Sequence, residues 1–155
     1  MHKEHQYKTN IEWTGNRGEG TRHYTGYDRS HRIFSENKPV IEASSDPAFR
    51  GDKMKYNPED LFLASLSSCH MLWYLHLCAD NGIVVVSYTD EAVGIMTETS
   101  TGGHFTEVIL HPTVIITDER KVPMAIELHD AANKYCFIAN SCNFPVRHKP
   151  QCSIG

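Results

Sequence analysis

Five cysteines are the residues of this chain best suited to redox chemistry. They are Cys69, Cys78, Cys136, Cys142 and Cys152. Their number is odd and their spacing irregular, and the chain has neither a CxxC pair nor an HExxH motif, so the sequence predicts neither a zinc ribbon nor a zincin. In a reducing compartment these residues are free thiols unless function oxidises them. Because the thiolate is the nucleophilic form, the functional question is which cysteine lies where its pKa is lowered.

Cys69 lies near the middle of an apolar stretch, residues 57–82. Between Leu61 and Ala79 this stretch contains no Asp, Glu, Lys or Arg. Pro58 near its start and Asn81-Gly82 at its end are typical helix boundary signals. Hydrophobic residues fall on every side of the predicted helix, so all of its surface needs covering. A chain of 155 residues can hardly do this alone, and the pattern predicts a dimer in which two such helices shield each other.

A membrane span is the alternative interpretation of the same stretch, because a charge-free run of about 19 residues approaches membrane length. The stretch lacks the basic and aromatic flanks of a transmembrane helix, and five polar residues interrupt it. These residues are Ser65, Ser67, Ser68, His70 and His76. We therefore predict a soluble helix with no membrane partner.

Composition predicts a soluble globular protein that forms a single domain over residues 1–155. Hydrophobic residues make up 40% of the chain, charged residues 22%, and the formal net charge is −4. No basic stripe is present to meet phosphates, so nucleic acid is not an expected partner. Residues 1–10 lack the apolar segment of a secretory signal, so a cytoplasmic location is expected. The ten histidines are scattered, and neither a metal nor a bound cofactor is predicted.

The remaining pattern predicts an α+β fold with a mainly antiparallel sheet. Residues 7–44 alternate between apolar and polar positions and are broken by turn residues, as in a meander of short strands. Residues 83–117 predict a long hairpin, with Pro112 at an edge position or a bulge. Asp118 is a candidate N-cap for a second helix that ends near Cys136. The predicted apolar face of that helix consists of Met124, Leu128, Ala131, Ala132 and Tyr135.

The position of Cys136 suggests a second reactive thiol. It lies near a helix junction, and a short helix beginning there would place free N–H groups beside the sulfur and lower its pKa. The alternative is that Cys136 is a small buried hydrophobic residue, as most structural cysteines are.

Motifs around both cysteines resemble the OsmC/Ohr superfamily of bacterial stress-induced thiol peroxidases. The resemblance rests on Asn57-Pro58-Glu59-Asp60-Leu61 followed by Cys69, and on Gly82-Ile83 leading into strands. It continues with an alanine-containing helix that ends in Cys136 and with the Asn140-Ser141 pair. It spans about residues 13–141, which is most of the chain.

The resemblance implies a function in oxidative or osmotic stress defence, the reduction of organic hydroperoxides. Cys69 matches the peroxidatic cysteine, which becomes a sulfenic acid, and Cys136 matches the resolving cysteine, which closes a disulfide. An external thiol or dithiol reductant restores both, without a bound cofactor. The implied architecture is an intertwined homodimer with two central helices between sheets and two sites at the interface. Its apolar cleft would use the aromatic candidates Phe49, Trp73 and Phe137.

An arginine held by a glutamate activates the thiolate in this family. Glu59 matches the glutamate, and Arg50 matches the arginine better than Arg17, which is the other candidate. Ten residues of straight helix would separate Glu59 from Cys69 by about 15 Å. We therefore expect α-helical structure to break between them, with Ser65, Ser67 or Ser68 capping a second segment.

Several residues depart from the family pattern. Phe137 follows Cys136 where many relatives have proline, and His70 follows Cys69 where an apolar or aromatic residue is common. The tail after Asn143 leaves little room for a closing strand. These departures keep a second hypothesis open: a non-enzymatic dimer of the same fold that binds a small molecule or is otherwise associated with stress. A metal-binding module is a third alternative, and no family role is assigned to Cys78, Cys142 or Cys152.

Overall fold

A computed structural model describes residues 2–155 as two compact units. The first extends to Leu61 and the second is Phe62–Gly155, so the boundary falls inside the long helix. Helices and strands are both present in the second unit, which confirms the predicted α+β class. The single domain over residues 1–155 remains a prediction.

The first unit contains a three-stranded antiparallel sheet. Its strands are β1 (Asn10–Trp13), β2 (His31–Phe34) and β3 (Ile41–Ala43), in that order. The predicted meander is therefore present but shorter, because residues 14–30 form no strand. Local hydrogen bonds hold that segment in turns: the Asn16 side chain accepts from the backbone N–H groups of Gly18 and Gly20 at 2.8 and 2.9 Å. A 3-10 helix, Pro47–Phe49, follows β3.

The long helix α1 (Pro58–Asp80) has the predicted boundaries. Asn57 and Asp60 form a reciprocal cap, in which the Asp60 N–H donates to Asn57 Oδ1 at 2.8 Å and the Asn57 N–H donates to Asp60 Oδ2 at 3.2 Å. At the other end Gly82 has a φ of 63°, a left-handed conformation that suits glycine. The Ile83 N–H then donates to the Cys78 carbonyl at 2.8 Å and closes the helix.

The predicted break in α1 is wrong, because the helix is continuous over its 23 residues. The serines that were expected to cap a second segment have other partners. The hydroxyl groups of Ser65 and Ser68 donate to carbonyls three residues earlier in the same helix, at 2.6 and 3.3 Å. Ser67 donates to Asp90 Oδ2 at 2.5 Å. A serine hydroxyl that bonds within a helix leaves the helix intact.

The predicted hairpin of the second unit is divided into two strand pairs. Its strands are β4 (Val85–Asp90), β5 (Val93–Thr99), β6 (Gly102–Leu110) and β7 (Pro112–Ile116). β5 pairs with β6 and β4 pairs with β7, both antiparallel, so the chain crosses between two three-stranded sheets at Glu91 and His111. Pro112 is buried at the first position of central strand β7, so the predicted edge or bulge is wrong. The first residue of a strand is another position that tolerates proline.

The C-terminal tail forms two strands, β8 (Val146–His148) and β9 (Gln151–Ile154). They run parallel to β6 and β7, respectively, and complete the two sheets. The expectation that the tail leaves little room for a closing strand is therefore wrong. The tail is long enough because β8 and β9 pair over only three and four residues. Both sheets of this unit are mixed, because each combines one antiparallel and one parallel strand pair.

The second helix, α2 (Val122–Tyr135), follows a 3-10 turn, Glu119–Lys121. The Asp118 side chain caps that turn by accepting from the Arg120 N–H at 3.1 Å. The buried residues of α2 are Ala125, His129 and Ala132. Of the predicted apolar face, Ala132 is buried and Leu128 packs against the core. Met124 and Tyr135, assigned to that face, are 43% and 49% exposed. A last 3-10 turn, Ala139–Ser141, follows Cys136.

Candidate functional site

Cys69 and Cys136 are brought together in the second unit. Cys69 lies in the middle of α1 and is half-buried, and Cys136 is buried immediately after the last residue of α2. The two thiols are neighbours, since the Cys69 thiol is one of the groups that shift the pKa of Cys136. The site therefore contains one thiol that solvent reaches and one that it does not.

Burial raises the pKa of Cys136 to about 11, and the neighbouring Cys69 thiol adds to the rise. The Ala139 N–H, at the start of the following 3-10 turn, donates to Cys136 Sγ at 3.4 Å and acts in the opposite direction. The N–H groups that the sequence predicted are thus present, but burial outweighs them. Cys136 is therefore protonated at neutral pH.

Two buried hydrogen bonds join α1 to α2 beside this thiol pair. His70 Nε2 and His129 Nδ1 lie 2.9 Å apart, and the Tyr74 hydroxyl donates to the Ala125 carbonyl at 3.0 Å. The partners are four residues apart on each helix and their order is reversed, so the helices pack antiparallel. His70 thus contacts α2 through a hydrogen bond and occupies the interior of the unit.

A third histidine, His148, lies beside the buried pair of His70 and His129 and is itself partly exposed. The ring of His148, in β8, lies 5.6 and 6.1 Å from theirs, and its Nε2 is 2.8 Å from Asp130 Oδ1. Burial lowers the pKa of His70 to about 4 and that of His129 to about 3, so both are neutral at neutral pH. Within residues 2–155 no group of three or more histidine, cysteine or acidic side chains has the arrangement of a metal site.

Sequence reasoning missed the roles of His129 and His148. The available signal was the spacing of Ala125, His129 and Ala132, which places a histidine among small residues on one helical face. The predicted apolar face of this helix included Leu128 and Ala132 but not His129, which lies between them. No sequence pattern joins His148, on a strand of the tail, to this face.

Aromatic residues lie beside the cysteines. Trp73 is one turn after Cys69 on α1, and its ring lies 5.3 Å from that of Tyr135 and 5.5 Å from that of Phe137. Tyr135 and Phe137 flank Cys136 in sequence, and Phe137 is 69% exposed. A cavity of about 220 Å³ is lined by Leu72, Trp73 and His76. Phe49, the other aromatic candidate, is 39% exposed in the first unit.

The charged residues predicted to activate Cys69 are Glu59 and either Arg50 or Arg17. Glu59 is in the first turn of α1, and the ten residues of unbroken helix before Cys69 correspond to about 15 Å. The role predicted for Glu59 required a break in this helix, and because α1 is continuous the two residues do not meet within it. Arg50 is exposed in the first unit with a φ of 66°. Arg17 is paired with Asp28, which raises the pKa of the guanidinium.

The remaining cysteines have structural surroundings. Cys78 is buried in the core on α1, close to Tyr74. The Cys142 thiol donates to the Ile138 carbonyl at 3.2 Å, and Cys152 is half-buried in β9. Burial raises the pKa of all three thiols. They are poor nucleophiles at neutral pH.

Comparison with protein-family models identifies the family of the chain. The OsmC-like protein family matches residues 51–150, which include both cysteines of the site. The chain belongs to the OsmC-like family. Residues 1–50, which include all three strands of the N-terminal sheet, precede the matched part.

Solved structures agree in fold. An OsmC-like protein of unknown function from Vibrio cholerae is 31% identical, with a TM-score of 0.84 over 95% of this chain and 99% of that chain. An organic hydroperoxide resistance protein from Elizabethkingia anophelis is 19% identical, with a TM-score of 0.67 over 99% of this chain and 100% of that chain. A protein described in the same way from Legionella pneumophila is 17% identical, with a TM-score of 0.63 over 97% and 99% of the two chains. No curated protein matches the chain.

Proposed function

We propose that the protein is a thiol-dependent peroxidase that reduces organic hydroperoxides through a two-cysteine cycle. The observation that carries this proposal is that half-buried Cys69 and buried Cys136 are neighbours. An oxidant arriving from solvent meets Cys69 first, and a second thiol stands beside the oxidised product. Resolution by a neighbouring thiol keeps oxidation at a reversible level.

The cycle balances in three steps. The Cys69 thiolate attacks the terminal oxygen of the hydroperoxide, the O–O bond breaks, and the alcohol leaves after taking up one proton. The Cys69 sulfenic acid then reacts with the Cys136 thiol to form a disulfide and release water. Finally, an external dithiol, or two monothiols, donates two electrons and two protons and is itself oxidised to a disulfide. No bound cofactor is needed.

The surroundings of the thiol pair favour a hydroperoxide with an apolar substituent. Trp73, Tyr135 and Phe137 offer aromatic surface next to Cys69 and Cys136. Burial of an alkyl or aryl chain there is favourable by about 25 cal/mol per Å² of apolar area removed from water. The organic hydroperoxide resistance proteins from Elizabethkingia and Legionella share the fold.

A homodimer accounts for the two features that one chain leaves unexplained. The helix α1 has a mean hydropathy of 1.3 over 18 residues, a value and length that would also suit a membrane span, and only 22% of that window is buried. A second copy of α1 would cover this surface without a membrane. Because Glu59 does not reach Cys69 of its own chain, a second copy would also have to supply Glu59 together with Arg50, or Arg17, to stabilise the thiolate.

Stress defence in the cytoplasm is part of the same proposal. Five free thiols persist in a reducing compartment. A dithiol or monothiol reductant is available there to reopen the disulfide.

A non-enzymatic binding protein with the same fold is the second candidate. It is favoured by the raised pKa of Cys136, which slows attack by this thiol, and by exposed Phe137 in the place of the proline common in relatives. In that case the aromatic surface would bind an apolar small molecule without oxidation of Cys69.

Steady-state consumption of cumene hydroperoxide with dithiothreitol as reductant distinguishes the two candidates. We expect Cys69→Ser to lower kcat/KM by at least about 10³-fold, because the nucleophile is lost. Cys142→Ser serves as the matched control, since Cys142 is a partly buried thiol of the same unit outside the pair. Its kcat/KM should remain within about twofold. A wild-type protein that consumes hydroperoxide no faster than Cys69→Ser would contradict the peroxidase.

A further inference from the structure

We infer that the His70–His129 hydrogen bond is a positioning device that holds Cys69 against Cys136. The inference rests on the proposed thiol pair and assigns the two histidines no contact with the hydroperoxide. It explains why two polar rings occupy the interior of the unit beside the candidate site.

The hydrogen bond is directional and shielded from water. His70 and His129 are each 1% exposed, and their Nε2 and Nδ1 atoms are 2.9 Å apart with ring planes 8° from parallel. One nitrogen must carry a hydrogen and the other a lone pair, so the accepting ring must be neutral. In a dry interior no water replaces this partner when the helices move, and the two rings therefore hold one relative position.

A second interaction prevents the helices from sliding past this point. The Tyr74 hydroxyl donates to the Ala125 carbonyl one helical turn away, and the Tyr74 ring stacks on His129 with centroids 3.9 Å apart. A slide of one residue along α1 would shift its contacts with α2 by about 1.5 Å. Such a shift would break both hydrogen bonds together.

The reactive thiols lie at defined positions from this fixed point. Cys69 immediately precedes His70 on α1, and Cys136 follows His129 by seven residues, about two turns along α2 and its end. A disulfide requires Cα atoms within about 7 Å and correctly directed Cβ atoms. The helix register therefore decides whether the two sulfurs can join, and the histidine pair fixes the register.

The competing explanation is that His70 and His129 only fill space in the interior and that their hydrogen bond is unimportant for positioning. Leucine has a similar volume and makes no hydrogen bond, so the double variant His70→Leu/His129→Leu keeps the packing and removes the interaction. The variant His129→Asn places an amide near the position of Nδ1 and keeps a polar partner for His70. Val108→Ala, in the core cluster formed with Leu66 and Leu110, is the control for a general loss of stability.

The measurement is the equilibrium constant for Cys69–Cys136 disulfide formation with oxidised glutathione, determined by peptide mapping of trapped protein at pH 7. The reaction converts two protein thiols and one glutathione disulfide into a protein disulfide and two glutathione thiols. We expect the constant to fall at least about tenfold in the double leucine variant, because the effective concentration of one thiol at the other falls. His129→Asn and Val108→Ala should remain within about threefold of the wild type.

Three results would overturn the inference. They are a double leucine variant within about threefold of the wild type, an equal loss in Val108→Ala, and a wild-type protein in which glutathione disulfide forms no Cys69–Cys136 bond. The test does not depend on hydroperoxide turnover. If the leucine variant shows the loss and the wild-type protein consumes no hydroperoxide, the positioning role stands and the proposed peroxidase fails.

Discussion

Cys69 and His70 are consecutive residues of α1, yet they belong to two regions with opposite properties. The thiol region combines half-buried Cys69 with aromatic side chains, of which Phe137 is 69% exposed. The histidine region is sealed, and His70 is 1% exposed. Adjacent residues of a helix point about 100° apart, which is enough to place one toward solvent and the other in the interior. One face of α1 thus leaves Cys69 accessible to a reagent, and the neighbouring face holds the helix in place through buried His70.

The largest expected effect concerns the outward surface of α1. Leu72 is 62% exposed in the single chain, so Leu72→Glu should cost the isolated chain little. If a second copy covers this surface, the buried charge should weaken dimerisation by at least about 100-fold. The measurement is mass by light scattering across a dilution series.

Met54→Glu is the control for Leu72→Glu, because Met54 is 83% exposed in the first unit. A wild-type protein that is monomeric at every concentration, or a Leu72→Glu variant that dimerises as the wild type does, would contradict the shielding of α1.

The histidine region should make stability fall as the medium is acidified. Unfolded histidine takes up a proton near pH 6.5, whereas the pKa values of His70 and His129 in the folded protein are about 4 and about 3. Below pH 6.5 the unfolded state therefore binds more protons, and stability falls until the folded groups titrate. The loss should reach at most about 1.4 kcal/mol per pH unit for each histidine.

Urea unfolding at pH 7, 6.5, 6, 5.5 and 5 measures this loss above the range in which most carboxylates titrate. The double variant His70→Gln/His129→Asn retains polar groups that do not titrate, and its stability should change less over the same interval. Equal slopes for the two proteins would show that the histidines are not buried in neutral form.

The smallest expected effect concerns the aromatic part of the thiol region. Phe137→Ala removes a largely exposed ring, so the free energy of unfolding should change by less than about 0.5 kcal/mol. The KM for cumene hydroperoxide should rise about threefold, because apolar contact with the substituent is lost, whereas hydrogen peroxide should be unaffected. Parallel steady-state assays with the two peroxides check this difference, and an equal change for both would assign Phe137 a general structural role.

The sequence predicts a region well when the interacting residues are close together in the chain, and poorly when they are far apart. The cap that begins α1 joins Asn57 and Asp60, which are only three residues apart. The start of this helix was predicted correctly. The neighbouring placement of Cys69 and Cys136 was predicted only through resemblance to a family. The histidine region joins His70, His129 and His148 on three distant elements, and no local pattern links them.

The errors have a related cause. A break in α1 was expected from serines that can cap helices, but their hydroxyl groups bond to carbonyls of the same helix or to Asp90. The tail was judged too short for a strand, yet β8 and β9 pair with strands far away in sequence. Side-chain partners and strand pairing of this kind are decided by tertiary structure, so composition and spacing do not reveal them.

The most direct test of the central claim is the intact mass of the reduced protein after one equivalent of cumene hydroperoxide, followed by peptide mapping. The two-cysteine cycle predicts a loss of two hydrogens that maps to a Cys69–Cys136 disulfide. The bond should be absent from Cys69→Ser, and Cys136→Ser should instead retain a sulfenic acid at Cys69. Unchanged thiols in the wild-type protein, at a dose that oxidises an authentic thiol peroxidase, would contradict the cycle and leave the binding protein as the better account.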